Sequence, residues 1–192
     1  MMVFSLDIDW APEEIIKDSL SLFELYNVKC TIFSTHNSSV IKNSNRKLFE
    51  IGIHPNFNDL LDGEKKNGNS ASQIVQDLIN IYPEAKGIRS HSITQSSRLI
   101  GLFKEKGLLY DSNQLFPYNW DIAPYDCWTG LKRIPYNWED DVHFAYGKSF
   151  DFDFDKVYDK NKNFIFDFHP IHIFLNTDSE QTYLKSKKHY QN

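Results

Sequence analysis

A repeated switch between two periodicities constrains this chain more than any other feature. Short apolar or β-branched runs at Met2–Ile8, Val28–Thr35, Glu50–His54 and Gly87–Ser90 alternate with segments whose apolar residues recur every three or four positions. The first such segment opens with Pro12, Glu13 and Glu14, aligns Ile16, Leu20 and Phe23, and ends at Asn27. A second helix is expected near Val40–Phe49. A third runs from about Ser72 to the residue before Pro83, with Ile74, Val75, Leu78, Ile79 and Tyr82 on one face. A fourth covers Ser96–Lys106, carries Leu99, Ile100 and Phe103, and is capped by Gly107. Strands separated by helices need crossover connections, which build a mainly parallel sheet. The polar stretch 56–70 is expected to be a long surface loop. Beyond Leu108–Tyr110 the pattern is irregular and aromatic through Trp128. It resumes at Leu131–Pro135 and Asn163–Phe168, before a polar, helical tail.

Folds of this type put their chemistry at the carboxyl ends of the strands. The first strand ends at Asp7 and Asp9, the third at His54, the fourth at Arg89 and His91, and the last at His169, so every candidate falls on one rim. Asp7 and Asp9 point the same way because strand side chains alternate with period two. They are either a metal ligand and a general base or a capping pair before Pro12. His54 is a ligand or a hydrogen-bonded structural histidine, and Asn58 is an oxygen ligand or, preferably, a turn residue. Arg89 either pairs bidentately with Asp7, holding it ionised, or forms a surface ion pair. His91 is a candidate metal ligand. His169, rigidly placed before Pro170, is a proton donor or a core histidine, with His172 the less certain partner. Asp167 is expected to face away from His169. Trp138 offers a flat surface for a sugar ring, and one of Glu139, Asp140 and Asp141 orients His169 or all three are solvated.

Composition narrows the classes. A chain of 192 residues suits a single domain, 1–192, able to bury about 70% of its unfolded surface. With 41% hydrophobic residues, 15 Phe, 10 Tyr and 4 Trp it is not a disordered sequence. A net charge of −5 argues against nucleic acid as a partner. Cys30 and Cys127 lack CxxC spacing, which leaves a disulfide framework or thiolate zinc site unsupported and fits reduced thiols in a cytoplasm. No basic, apolar leader opens the sequence and no run approaches the ~18 apolar residues of a membrane span, so a cytoplasmic protein without membrane insertion is expected. The oligomeric state is left unassigned.

Taken in order, FSLDIDW, CTIFST, EIGIHPNF, GIRSHS and FDFHPIH resemble the polysaccharide deacetylases of carbohydrate esterase family 4 type, most closely a WbmS-like branch, over nearly the whole chain. The resemblance implies a distorted (β/α) barrel with fewer than eight strand-helix units. It implies a metal-dependent hydrolase removing an N-acetyl group from a sugar of a surface polysaccharide or its precursor. In such a family the first Asp of the opening motif, here Asp7, is the base, and the second, Asp9, binds the metal. Two departures stand out. The second histidine of the usual His-x-x-x-His pair is replaced by Asn58, which makes His91 the first candidate for third ligand beside Asp9 and His54. The Arg motif continues with His91 and Ser92 in place of Pro and Tyr. The expected division of labour is therefore Asp9, His54 and His91 for a divalent metal, preferably zinc. Asp7, with Arg89, would act as base, Ser92 would support the oxyanion and His169 would be the acid. Alternatives are hydrolysis of another amide on the same fold and a non-catalytic sugar-binding relative.

Overall fold

The computed structural model describes residues 1–64, 68–148 and 153–190, the last five of these by backbone alone. Its elements are β1 (Met2–Asp7), α1 (Glu13–Leu25), β2 (Cys30–Ser34), α2 (Ser39–Lys42), β3 (Phe49–Ile53), α3 (Asn58–Leu61), α4 (Ala71–Ile81), β4 (Gly87–Ile88) and α5 (Ser97–Glu105). There follow β5 (Tyr110–Asp111), β6 (Tyr125–Asp126), β7 (Lys132–Arg133), β8 (Trp138–Glu139), α6 (Asp140–Ala145), β9 (Phe164–Phe168), α7 (Pro170–Phe174) and α8 (Glu180–Tyr190).

The expected alternation is present, and local chemistry explains its boundaries. Ser70 and Ser96 accept hydrogen bonds from the backbone N–H of Gln73 and Leu99, each at 3.2 Å, capping α4 and α5. The helix expected over Val40–Phe49 is a single turn, α2, capped by Ser38. Asn45 ends it by accepting the Lys47 N–H on its side chain and the Leu48 and Phe49 N–H groups on its carbonyl, turning the chain into β3. Within the stretch expected to be loop, 58–61 forms α3.

The strands form one curled sheet in the order β6-β7-β5-β4-β3-β2-β1-β9-β8, parallel throughout except for β6 against β7. It is a half-barrel whose edges do not meet, so the expected barrel is an open one. The convex face is apolar: Leu6, Ile8, Ile32 and Ile51 pack on Ile16, Leu20 and Phe23 of α1, and Ile53 and Ile88 pack on Ile74, Val75, Leu78, Ile100 and Phe103 of α4 and α5. Period-two alternation sends Ser5, Asp7, Phe33, Arg89 and Asp167 to the concave side.

Two glycines let that interior close up. A Cβ on Gly52 would lie 2.6 Å from the Phe33 ring, and one on Gly87 would lie 2.1 Å from Tyr110 Cζ. Aromatic rings from neighbouring strands occupy the space that side chains there would need.

Candidate active site

Arg89 is the floor of the site. It is 1% exposed, and its guanidinium lies between the rings of Phe33 and Tyr136, 4.5 and 4.2 Å from their centroids. Nε donates to the Ser112 carbonyl at 3.0 Å and Nη2 to Ser112 Oγ at 2.9 Å. Nη1 donates to Ser5 Oγ and to Asp7 Oδ1, both at 3.0 Å, and is also ion-paired with Asp167 Oδ1. The expected bidentate pairing with Asp7 is corrected: one nitrogen of Arg89 is shared between two carboxylates, because the rest of the fork is spent on Ser112. Asp167 does not face away from His169. Residues two apart on a strand share a face, and the fully buried Asp167 lies beside Arg89 and Ser5.

This sharing changes the electrostatics of Asp7. Burial, the largest influence, raises its pKa. Arg89 opposes that, Asp167 adds to it, and the net direction is well upward. Arg89 favours the ionised form, as expected, but burial and Asp167 outweigh it in the direction of the shift.

Above this floor Asp9 Oδ1 stands 3.2 Å from His54 Nε2 and 3.3 Å from His91 Nδ1. Burial works against the Asp9 carboxylate, but hydrogen bonds from both imidazoles and the charge of His169 outweigh it and pull its pKa far down. His54 Nδ1 is buried without a hydrogen-bond partner, 3.6 Å from Asp7 Oδ2. One carboxylate and two imidazoles, with ligand atoms within 4.8 Å of one another, form a mixed N and O donor set of the kind divalent zinc takes. The Asn58 side-chain Nδ2 donates to Ser92 Oγ at 3.2 Å. Two further triads occur among the described residues, Asp7–Asp167–His169 and Asp140–Asp141–His172. Arg89 already brings positive charge to the first, and in the second Asp140 is engaged by His169 and by the Asp141 N–H.

His169 follows β9 and caps α7. Its Nδ1 lies 2.6 Å from Asp140 Oδ1, its backbone N–H donates to Asp140 Oδ2 at 2.8 Å, and Nε2 faces Asp9 Oδ2 at 3.6 Å. Burial disfavours the imidazolium, but Asp140 together with Asp9 and Asp141 overcomes it and raises the pKa well above the ordinary value. His172 is separate, held by Asp141 at 3.0 Å and Thr177 at 3.1 Å.

These groups line a cleft of about 580 Å³ that also includes Trp10, Ser92, Ile93, Tyr136, Glu139 and Asp141. Its rim is strained: Asp9, Trp10, Ser92 and Ile93 have φ of 36°, 58°, 55° and 53°, values costly for side chains with a Cβ. Trp138 is not a platform in this cleft. It is 7% exposed, packed on Phe166 and Phe168, with its indole N–H donated to His143 Nδ1 at 3.2 Å. The aromatic at the cleft is Trp10, 46% exposed and edge-on to His91 at 5.1 Å. Its place directly after Asp9 was the available signal. Glu139 was left unassigned between Asp140 and Asp141; it faces the cleft with Oε2 accepting from the Tyr136 hydroxyl at 2.7 Å.

Comparison with known proteins identifies the family. Residues 4–187 match the WbmS-like polysaccharide deacetylase family model. No match is found among curated proteins. A Bordetella bronchiseptica structure, described as a polysaccharide deacetylase involved in O-antigen biosynthesis, shares 36% identity with a TM-score of 0.88, covering 100% of this chain and 80% of its own. A Mycobacterium smegmatis structure, described as a polysaccharide deacetylase, shares 15% identity at TM-score 0.59, over 88% of this chain and 76% of its own. A Thermococcus litoralis 4-alpha-glucanotransferase shares 10% at 0.57, over 98% and 36%. The last two bear on the fold alone. The family match and the 36% neighbour, each spanning nearly the whole of this sequence, establish that the chain belongs to the WbmS-like polysaccharide deacetylase family.

Proposed function

We propose that residues 1–192 act as one metal-dependent catalytic domain that removes an N-acetyl group from a sugar of a surface polysaccharide or its precursor, in a cytoplasmic setting. The observation that carries this reading is the convergence of His54 Nε2 and His91 Nδ1 on Asp9 Oδ1, with Asp7 and His169 on either side. Asp9, His54 and His91 would hold a divalent cation, zinc by donor type. When bound, it supplies Lewis acidity toward the acetyl carbonyl and lowers the pKa of water.

The chain's own groups divide the proton transfers. Asp7 takes the proton of the attacking water. Its upward-shifted pKa makes its carboxylate a stronger base than an ordinary aspartate. The Ser92 N–H, without a partner among the described residues, donates to the carbonyl oxygen as charge develops there. His169, kept protonated by Asp140, gives its Nε2 proton to the departing nitrogen. Trp10 walls the rim and limits access of bulk water.

The deciding experiment is acetate release from N-acetylated sugars together with metal content by elemental analysis. Asp7→Asn should retain metal and lose turnover, His54→Ala and His91→Ala should lose metal, and Asn58→Ala should keep it. Equal metal loss in Asp7→Asn and His54→Ala, or full metal in His91→Ala, would overturn the division of roles. Release of other amide products with no acetate would reassign the substrate.

A further inference from the structure

The mechanism gives no task to Glu139, which lines the cleft. Glu139 ends β8, whose register sets it beside Asp167 of β9, so it lies beyond the Arg89 floor on the side away from His54 and His91. Its orientation is fixed. Oε2 accepts from the Tyr136 hydroxyl at 2.7 Å, and the Tyr136 ring is itself held against the Arg89 guanidinium. The other oxygen, Oε1, makes no hydrogen bond among the described residues and is not sealed in the interior. Its aim into the cleft is therefore preorganised and its accepting capacity is unused.

The side-chain charge beside it is mainly negative. Among the described residues Asp7, Asp9, Glu139 and Asp141 line the cleft and no lysine does, while its cationic side chains, Arg89 and the protonated His169, are already paired with carboxylates. A phosphate or carboxylate on the bound sugar would find no free cationic side chain next to Glu139, whereas a hydroxyl would meet a ready acceptor.

We propose that Glu139 is a substrate-binding residue whose free Oε1 receives a ring hydroxyl of an uncharged N-acetylated pyranose, and that it selects against nucleotide-activated or acidic sugars. This rests on the deacetylase reading and adds the substrate class to it. Burial pushes the Glu139 pKa up to about 7, so the group also exists as a neutral carboxyl able to donate to a sugar oxygen.

The test measures kcat and KM for acetate release from a panel of neutral N-acetylhexosamine oligosaccharides and from uridine diphosphate N-acetylglucosamine. The wild type is expected to prefer the neutral substrates. Glu139→Gln should raise their KM about ten-fold with kcat within about two-fold, and should narrow the gap to the nucleotide sugar. Tyr136→Phe keeps the ring on Arg89, frees Oε2, and should shift KM in the same direction by less. If Glu139→Gln does not fold, as judged by its melting curve, Tyr136→Phe decides alone. A wild-type preference for the nucleotide sugar, or an unchanged KM in the variants, overturns the assignment of Glu139 and leaves the deacetylase reading standing. Acetate from none of the substrates overturns both.

Discussion

Arg89 Nη1 lies 3.0 Å from Asp7 Oδ1 while the same nitrogen is ion-paired with Asp167, so one buried guanidinium serves two carboxylates beneath the cleft. Removing it with Arg89→Leu would leave Asp7 and Asp167 facing each other without a cation. A loss of about 3–5 kcal/mol in unfolding free energy is expected from urea titration at neutral pH. A loss below about 1 kcal/mol would mean the pair contributes no more than an exposed one.

The two tryptophans make a contrasting pair. Trp138→Ala opens a cavity against Phe166 and Phe168 and should cost about 3–5 kcal/mol of stability. Trp10→Ala, at an exposed site, should cost less than about 1 kcal/mol and instead raise KM. If thermal melts showed the reverse order, the assignment of Trp10 to the cleft and Trp138 to the core would fail.

Asp140 controls the proton on His169. A histidine whose pKa is raised on folding adds stability that is complete below the ordinary 6.5 and is lost as pH climbs through the folded value. Activity that needs the imidazolium falls over the same alkaline limb. Asp140→Asn removes the charge that most favours the protonated ring, so this limb of the kcat profile should move to lower pH. The rate should also drop about 10–100-fold. A limb that stays in place would show that another group sets it.

Glu139 should reveal itself in stability as well as binding. Its pKa rises from 4.5 to about 7 on folding, so between those values the unfolded chain releases a proton that the native state keeps. Stability therefore falls with rising pH across that window, by up to roughly 3 kcal/mol for a shift of this size. Glu139→Gln should flatten the dependence and melt higher than wild type at pH 8. Parallel curves for the two proteins would contradict it.

Much of this protein is legible along the chain. The two periodicities mark β1, β2, β3, β9, α1, α4 and α5, and the rule that strand ends carry the chemistry gathers Asp7, Asp9, His54, Arg89, His91 and His169 at one cleft. These are local signals, set by alternation along a strand and spacing along a helix. The preference for His91 over Asn58 was also stated in advance, and in the structure His91 Nδ1 stands 3.3 Å from Asp9 Oδ1 while Asn58 Nδ2 donates to Ser92.

The remainder depended on register between distant segments. β6 and β8 are two residues long and carry no periodicity, so the pairing of Trp138 with Phe166 and of Glu139 with Asp167 had no local mark. That pairing buries Trp138, turns Glu139 into the cleft and leaves Asp140 to hold His169, 29 residues away in sequence. Sharing of Arg89 between Asp7 and Asp167 likewise requires the sheet to curl, so that a side chain following β4 reaches across the concave interior to β1 and β9, with β2 and β3 between them in the strand order. The sequence by itself determined which residues reach the rim, because that follows from side-chain alternation. Only the tertiary structure decided which of them touch, because burial and electrostatic coupling act through space.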